Sequence, residues 1–253
     1  MGWRTTVMRY LILSDIHANI DAFEAVLEHA AGRWDRALVL GDLVGYGAEP
    51  NAIVDRIRSM NPDAIIRGNH DKAASGLDDG SQFNHVARLS AIWTGAQLTA
   101  DNLEYLRALP MGPLEIDALT EICHGAPFDE DYYVFDGSDA RMGLDAASRP
   151  LCLFGHTHLP AIFRKVDEAY EGSAPDPNRE TVLPLQRGAR YIVNAGSIGQ
   201  PRDGDPRAGY GVLDDEARNV TLFRVPYAVE KAQARILAAG LPPSLANRLA
   251  VGR

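Results

Sequence analysis

The sequence contains few cysteines and no long apolar segment. Two of its 253 residues are cysteine, Cys123 and Cys152, and both lie inside apolar runs. Two buried thiols give no disulfide framework, which disfavours a small secreted domain and predicts a reducing, cytoplasmic location. No stretch approaches the roughly 18 apolar residues of a membrane span. The first apolar run is too short for the core of a secretion signal, so we expect no signal peptide.

Positive charge is scarce as well. Lys and Arg number 25 against 34 Asp and Glu, which gives a formal net charge of -9. Such a surface repels nucleic-acid backbones and anionic membranes, so neither is expected as a partner. A small phosphorylated substrate fits this charge when its binding site carries its own cations. The hydrophobic content of 46% is ordinary for a globular protein and sufficient for a core. Nothing in the sequence indicates an oligomeric state.

The first apolar run, residues 11–13, is followed closely by Asp15 and His17. The run predicts a buried strand, and residues 19–31 after it predict a helix. Asp15 and His17 therefore lie at the carboxyl end of a strand, where open α/β sheets bind their ligands. An Asp and a His two residues apart are weak evidence alone, so the interpretation depends on whether the pattern recurs.

The pattern recurs at two further strand ends. Residues 37–40 predict a second buried strand that ends near Asp42, and residues 64–66 predict a third that ends near Asn69. The spacing from Asp15 to Asp42 is 27 residues, and the spacing from Asp42 to Asn69 is 27 again. This is about the length of a βαβ unit, so we expect the three ends to line up along one edge of a parallel sheet.

The rest of the chain predicts shorter and more varied elements. Residues 72–83 are rich in Gly, Asp and Ser and predict an exposed loop. Helical patterns occur at 85–97, 100–108, 138–147 and from 227 onward, with a break at 240–243. Strand patterns occur at 114–118, 121–124, 131–135 and 151–154, and then alternate with turns to about 225, with 171–179 as a hairpin tip.

No linker composition divides the chain, so the pattern predicts one α/β domain of two packed sheets with helices outside. We expect this domain to span residues 1–253. Its expected parts are an N-terminal extension at 1–8, a helical cap segment at 72–110 and a C-terminal helical tail at 227–253.

Five predicted strand ends carry side chains that bind metal ions. The candidate residues are Asp15, His17, Asp42, Asn69, His70, Asp71, His124, His156 and His158. Five of the seven histidines lie in these places, and only His29 and His85 lie elsewhere. For those two we expect an imidazole on a helix surface or a lid. The recurrence at one edge of one fold makes the metal hypothesis strong, although each motif alone is weak.

The mixture of ligand types narrows the range of metal ions that the site could bind. Carboxylate, imidazole and amide oxygen without thiolate favour Mn, Fe, Zn, Co or Ni. Seven ligating side chains among these nine candidates would be too many for one ion and would suit two ions that share a carboxylate. Two ions about 3.5–4 Å apart stabilise both oxygens of an in-line displacement at phosphorus. Two divalent ions bring roughly +4, against roughly -3 from two aspartates and a hydroxide, so the pocket would be positive in an acidic protein.

The motif set resembles that of the calcineurin-like metallophosphoesterases. The motifs occur in the same order as in that family. The resemblance extends from about residue 9 to 225, and it is strongest to the small stand-alone bacterial and archaeal phosphodiesterases. They are Asp15-Ile16-His17, Gly41-Asp42, Gly68-Asn69-His70-Asp71, His124-Gly125 and Gly155-His156-Thr157-His158. The resemblance implies a four-layer α/β/β/α sandwich, two mixed β-sheets face to face, with a dimetal site at the strand ends.

The resemblance also implies a role for each motif residue. One metal would be held by Asp15, His17, Asp42 and His158, and the second by Asp42, Asn69, His124 and His156. The ions would be two divalent transition metals, with manganese first and Fe, Ni, Zn or Co as alternatives. A bridging hydroxide would attack phosphorus in line. His70 would protonate the leaving oxygen or stabilise the equatorial charge, and Asp71 would orient its ring.

Three further residues are candidate substrate contacts, and for each a purely structural role is about as well supported. They are Asn19, Tyr46 and Arg202. Arg202 lies in the turn 199–207, which contains two prolines and two arginines. Either the turn is a rigid surface feature whose arginines pair with Asp203 and Asp205, or it presents the Arg202 guanidinium to a phosphate oxygen.

The predicted function is a metal-dependent phosphoesterase that acts on a phosphodiester. A cyclic-nucleotide phosphodiesterase and a phosphomonoesterase remain alternatives. The sequence after Asp42 lacks the pattern of Ser/Thr protein phosphatases, and dinucleoside-polyphosphate hydrolases are disfavoured for a similar reason. A non-catalytic protein-binding scaffold, as in a retromer subunit, is disfavoured because every motif ligand is present. The variable loops that select the substrate carry no readable pattern.

Overall fold

Two mixed six-stranded sheets form the interior of the protein. The computed structural model describes residues 8–253. The strands are β1 Arg9–Leu13, β2 Arg36–Val39, β3 Ala64–Ile65, β4 Leu114–Glu115, β5 Thr120–Ile122, β6 Leu151–Phe154, β7 Ala161–Val166, β8 Ala169–Ser173, β9 Thr181–Pro184, β10 Arg190–Asn194, β11 Ala208–Asp214 and β12 Asn219–Val225. The first sheet has the order β3-β2-β1-β11-β12-β9, and the second has the order β4-β5-β6-β10-β7-β8.

Helices cover the outer faces of both sheets. They are α1 Ile20–His29, α2 Pro50–Met60, α3 Asn69–Ser75, α4 His85–Gln97, α5 Ala100–Ala108, α6 Gly137–Ala146, α7 Val229–Ala238 and α8 Pro243–Leu249. Local sequence sets several helix starts. Pro50 occupies the first turn of α2, where a missing N–H costs nothing, and the Thr99 side chain accepts from Asn102 N to begin α5. None of the helices in residues 8–253 combines the length and the apolar character that a membrane crossing requires.

Strand periodicity produces the layers. In β1, Leu11 and Leu13 pack with α1 and α2, whereas Tyr10 and Ile12 pack between the two sheets. The second sheet repeats this alternation in β6, where Leu153 faces the inter-sheet core and Phe154 faces α6. Successive strand residues point to opposite faces, so each central strand contributes to two cores. The predicted α/β/β/α architecture is confirmed.

The expected alignment of the first three motifs is also confirmed. Strands β1, β2 and β3 are adjacent and parallel, with Leu13 opposite Val39 and Val39 opposite Ile65. Their carboxyl ends therefore meet at one edge of the first sheet. In the second sheet, β5, β6 and β10 are adjacent and parallel as well, and their carboxyl ends approach the same region.

Three local predictions were wrong. The expected loop 72–83 begins as helix, because α3 continues to Ser75 and ends at Gly76, whose φ of +79° is a left-handed C-cap. The expected strand 131–135 is irregular backbone. The segment 171–179 is not a hairpin tip, because β8 pairs with β7 in the second sheet and β9 pairs with β12 in the first. It connects the two sheets.

The predicted helices at 85–97, 100–108 and 138–147 are confirmed to within one residue, as is the break in the C-terminal helical segment. Of the predicted extension at 1–8, residues 1–7 lie outside the described part of the chain. The partition into extension, cap and tail stays a prediction.

Candidate metal centre

Seven candidate ligands from both sheets converge at the strand ends. Asp15 and His17 follow β1, Asp42 follows β2, and Asn69 begins α3, while the three histidines of the second sheet follow β5 and β6. The structure contains two groups whose ligand atoms lie within 4.8 Å of one another: Asp15, His17, Asp42 and His158, and Asp42, His124 and His156. Both groups contain Asp42. All these side chains are buried, and Asn69, which is half-buried, lies beside the second group.

In the first group, two imidazoles face each other. The Nε2 atoms of His17 and His158 are 3.1 Å apart. The Nδ1 atom of His17 lies 3.1 Å from the Val44 carbonyl oxygen, and that of His158 lies 2.6 Å from the Gln200 carbonyl oxygen. An Nδ1–H that donates to a carbonyl leaves the lone pair on Nε2, so both lone pairs point into the site, as in ligands to a shared cation.

In the second group, the two histidines present different nitrogens. His124 Nδ1 is 2.8 Å from the Leu40 carbonyl oxygen, so its Nε2 faces the site, 3.3 Å from Asn69 Oδ1. His156 is reversed, because its Nε2 lies 3.0 Å from the carbonyl oxygen of Asp131. That hydrogen bond leaves Nδ1 as the nitrogen available to a metal ion.

The Asp42 carboxylate supplies the clearest test of whether the residues fit a cation. Its Oδ1 accepts a hydrogen bond from His70 N at 2.8 Å. Its Oδ2 is buried without a hydrogen-bond partner, 3.5 Å from the Nε2 atoms of His17 and His124. A buried carboxylate oxygen without a partner is costly unless a cation compensates it. The donor set therefore fits divalent metal ions that share this oxygen.

Burial keeps most of these histidines neutral. It lowers the pKa of His17, His156 and His158 well below the usual value, which leaves their lone pairs free to bind metal. Burial also acts to lower the pKa of His124, but the Asp42 and Asp15 carboxylates outweigh it and raise that pKa to about 10. A divalent ion would displace this proton, since ligating imidazole must be neutral.

The backbone is strained where it turns the ligands inward. Asp15, His17, Asp42, His156 and His158 all have positive φ angles, between 49° and 66°. Non-glycine residues rarely adopt this left-handed conformation, which costs on the order of 1–3 kcal/mol and occurs mainly at functional sites. The surrounding fold imposes the conformation at the end of each strand.

Two motif glycines allow close approach to the carboxylates of the candidate ligands Asp15 and Asp42. A Cβ on Gly68 would lie 2.1 Å from Asp42 Oδ1, and a Cβ on Gly155 would lie 2.8 Å from Asp15 Oδ2. Any side chain at either position would displace the carboxylate. These contacts explain why glycine precedes Asn69 and His156.

His70 lies against the first group without belonging to it. Its ring packs against those of His17, Tyr46 and Phe83, with centroids 5.0, 4.3 and 4.6 Å away. Its Nδ1 is buried without a hydrogen-bond partner, and burial lowers its pKa to about 4. The imidazole is therefore neutral near pH 7.

Asp71 does not orient the His70 ring, contrary to expectation. Its Oδ1 accepts from Val44 N at 3.2 Å and its Oδ2 accepts from Gly68 N at 3.0 Å. Asp71 thus closes the first turn of α3 and fixes the loop after Asp42. Burial, with the Asp42 charge nearby, raises its pKa to about 7.

The three candidate substrate contacts lie close to the centre in different environments. Asn19 caps α1 through Ala22 N, and its amide also donates to the Gly199 carbonyl oxygen at 2.9 Å. The Tyr46 ring lies 4.8 Å from that of His17, and its hydroxyl is 3.4 Å from Arg202 Nη2. The predicted contacts with substrate stay predictions.

Arg202 differs from its neighbour Arg207. Arg207 pairs with Asp205, while Asp203 pairs with Arg224 instead. Within the described residues Arg202 has no carboxylate partner, and its buried Nε has no hydrogen-bond partner. The rigid-turn interpretation therefore holds for Arg207 and not for Arg202.

Sequence reasoning missed two features near the centre. The Tyr133 ring stacks on His156 at a centroid distance of 3.8 Å, and the Arg248 guanidinium lies 5.8 Å from the Tyr46 ring centroid. Neither residue follows an apolar strand, and neither has a motif to mark it. His29 and His85 lie exposed on α1 and α4, away from the ligand groups, as expected.

Comparisons with known proteins agree with this geometry. The sequence profile of the calcineurin-like phosphoesterase superfamily domain matches residues 8–218. Protein MJ0912 of Methanocaldococcus jannaschii is 32% identical, over 96% of this chain and 97% of that protein. Phosphodiesterase YfcE of Escherichia coli is 23% identical, over 85% of this chain and 91% of that protein. The crystal structure of a metallophosphoesterase from Sphaerobacter thermophilus superposes with a TM-score of 0.87 at 43% identity, over 98% of this chain and 100% of that one.

Proposed function

The chain belongs to the calcineurin-like phosphoesterase superfamily and is a dinuclear phosphoester hydrolase, and from this premise we propose that its substrate is a phosphodiester. The observation that carries metal-dependent hydrolysis at this centre is the unpartnered, buried Oδ2 of Asp42 between two imidazole nitrogens. The name of the relative YfcE, a phosphodiesterase, supports the choice of diester over monoester.

We assign the ligands as two sets joined by Asp42. The first set is Asp15, His17, Asp42 and His158, and the second is Asp42, Asn69, His124 and His156. Divalent ions held by these residues would supply Lewis-acid stabilisation of the phosphate and would lower the pKa of a water molecule for attack. Mixed nitrogen and oxygen donors suit several transition metals, and we propose manganese as the first to test.

His70 is the proposed general acid or hydrogen-bond donor. Its packing against Tyr46, His17 and Phe83 fixes the ring plane beside the first ligand set. A neutral imidazole can donate one N–H hydrogen bond to the leaving oxygen or to an equatorial phosphate oxygen, and it would act as a general acid only once protonated, a form that an anionic substrate beside the ring would favour. Asp71 supports this role through the backbone, since it holds Gly68 N and Val44 N in place.

Arg202 is the proposed contact to a non-bridging phosphate oxygen. A guanidinium without a carboxylate partner, beside an acidic centre that binds cations, is available to an anionic substrate. Tyr46 positions it through the hydroxyl contact. Asn19 holds the backbone at Gly199, the first residue of the turn that carries Arg202.

The first prediction tests the function directly. Protein treated with a chelator should not hydrolyse bis(p-nitrophenyl) phosphate, and activity should return with Mn²⁺ or a neighbouring ion, because the candidate ligands converge on one region that fits divalent cations. The comparison uses Mn²⁺, Ni²⁺, Zn²⁺ and Mg²⁺ in parallel, with p-nitrophenyl phosphate and a cyclic nucleotide as competing substrates. Activity that survives thorough chelation would contradict the metal mechanism. A higher kcat/KM for the monoester would contradict the diester assignment.

A further inference from the structure

A stack of aromatic rings leads away from the candidate metal centre. The Tyr133 ring lies on His156 with centroids 3.8 Å apart and an interplanar angle of 25°. The Phe135 ring is parallel to that of Tyr133, at 5.1 Å and 1°. Both rings reach solvent, with Tyr133 39% and Phe135 59% exposed. We call Tyr133 and Phe135 the ring stack.

A cleft of about 810 Å³ begins at Phe135, the outer member of the ring stack, and Tyr133 lies between this ring and His156. Its apolar lining includes Phe135, Leu159, Pro160, Phe163 and Pro175. The lining continues directly from residues of the centre, since Leu159 follows His158 in the chain. A mostly apolar cleft of this size, beside a reactive centre, is typical of a small-molecule site.

The charges around the cleft favour an uncharged occupant. Its charged lining residues are Asp203, Asp205 and Arg224. Asp203 pairs with Arg224, and Asp205 pairs with Arg207. The lining therefore offers no unpaired cation for a second phosphate group, while its flat Phe135 ring and proline rings suit the face of a planar, uncharged ring.

We propose that the ring stack and the cleft bind an aromatic ring carried by the alcohol of the substrate, with a nucleobase as the preferred ring. The inference rests on the proposed function, because it places the phosphate at the metal centre. A base would pack on Phe135 as bases pack on aromatic side chains in single-stranded nucleic-acid sites, where every base offers a π-face. Tyr133 would hold the Phe135 ring in place, because its own ring stacks on both Phe135 and His156.

The test measures binding rather than turnover. Calorimetry on the Mn²⁺-loaded protein compares adenosine 5′-monophosphate with ribose 5-phosphate, which have the same phosphate and sugar. A second pair, phenyl phosphate and methyl phosphate, tests a simple aryl ring. We expect adenosine 5′-monophosphate to bind at least about tenfold more tightly than ribose 5-phosphate. Phe135→Ala should reduce this preference to within about twofold, and Phe135→Tyr should keep it.

Phe128→Ala is the matched control. Phe128 is exposed to 45% and packs on Tyr132, outside the cleft lining, so its removal should leave the preference unchanged. If only phenyl phosphate binds more tightly than its partner methyl phosphate, the result would support a site for an aromatic ring and would overturn the assignment of a nucleobase. No preference in either pair, or a preference that survives Phe135→Ala, would overturn the site. Base-dependent binding without diester hydrolysis would contradict only the proposed function.

Discussion

His70 and Asp42 touch each other, yet their surroundings indicate different tasks. The Asp42 carboxylate accepts from His70 N through one oxygen and turns the other toward two imidazoles. The His70 ring is packed among aromatic rings and belongs to neither ligand group. Adjacent position in the centre therefore does not imply a shared role.

This difference gives the second prediction. His70→Ala should keep both metal ions while kcat falls by roughly 10²–10⁴, because it removes a proton donor and no ligand. Asp42→Ala should lose metal, because both ligand sets depend on it. Elemental analysis of the purified variants measures the number of metal ions bound per chain. His70→Gln serves as a second variant, because it removes less side-chain volume than His70→Ala. If His70→Ala binds one ion fewer than the parent, the assignment is wrong.

The third prediction concerns Arg202. Arg202→Lys should lower kcat/KM by on the order of tenfold to a hundredfold, because an ammonium cannot reproduce the two-pronged geometry of a guanidinium. Metal content and melting temperature should not change. Arg207→Lys is the matched control from the same turn, since Arg207 is already paired with Asp205. Equal kinetics for Arg202→Lys and the parent protein would leave the turn with a structural role only.

Helix α3 connects the two halves of the centre. It carries Asn69 and His70 in its first turn, and Lys72 follows on the same short helix. The Lys72 ammonium lies 2.6 Å from Asp131 Oδ2 and 2.9 Å from Glu130 Oε1. The backbone carbonyl of Asp131 in turn fixes His156 through Nε2. One lysine on α3 therefore holds the loop that orients a candidate ligand, His156, from the second sheet.

The fourth prediction tests this connection. Lys72→Met should weaken the binding of one ion by up to roughly 10–100-fold, the effect of losing an outer partner to a ligating histidine, because the loop that supplies the Asp131 carbonyl loses its ion pairs. Mn²⁺ titration by calorimetry measures the affinity, and activity should recover at higher Mn²⁺. Lys165→Met is the control, since Lys165 also pairs with an aspartate, Asp145 at 2.9 Å, but on the surface. Unchanged Mn²⁺ affinity in Lys72→Met would contradict the role of this contact.

The centre is assembled from both sheets of the molecule. Asp15, His17 and Asp42 come from the first sheet, while His156 and His158 come from the second. Ions bound there would join the two sheets at their shared edge. A ligand that binds only the folded state stabilises it by mass action, by about 2.7 kcal/mol at a hundredfold excess over Kd.

The fifth prediction follows from this arrangement. Mn²⁺ at saturation should raise the melting temperature by on the order of 5–10 °C for a chain of this size. Asp42→Ala should show little of this shift, because it removes the shared ligand. Thermal unfolding followed by circular dichroism, with and without chelator, provides the measurement. Identical melting temperatures in both conditions would argue against ions that join the sheets.

The sequence determined the first sheet edge and the candidate ligands. Apolar runs, the residues at their ends and the 27-residue spacing are all local signals, and they placed Asp15, Asp42 and Asn69 together correctly. The resemblance to the calcineurin-like family extended the prediction of ligands to the second sheet, and it also predicted the layered fold. Manganese, the cytoplasmic location and the individual ligand roles stay predictions.

Only the tertiary structure decided which atoms face the centre. His156 presents Nδ1 because Asp131, 25 residues earlier, accepts its Nε2–H, and His124 presents Nε2 because Leu40, 84 residues away, accepts its Nδ1–H. The α3 helix and the ring stack likewise depend on partners from distant segments. Side-chain periodicity is a property of neighbouring residues, and a sequence displays it directly. Ring orientation, tautomer and shared carboxylates depend on contacts between segments that meet only when both sheets have packed.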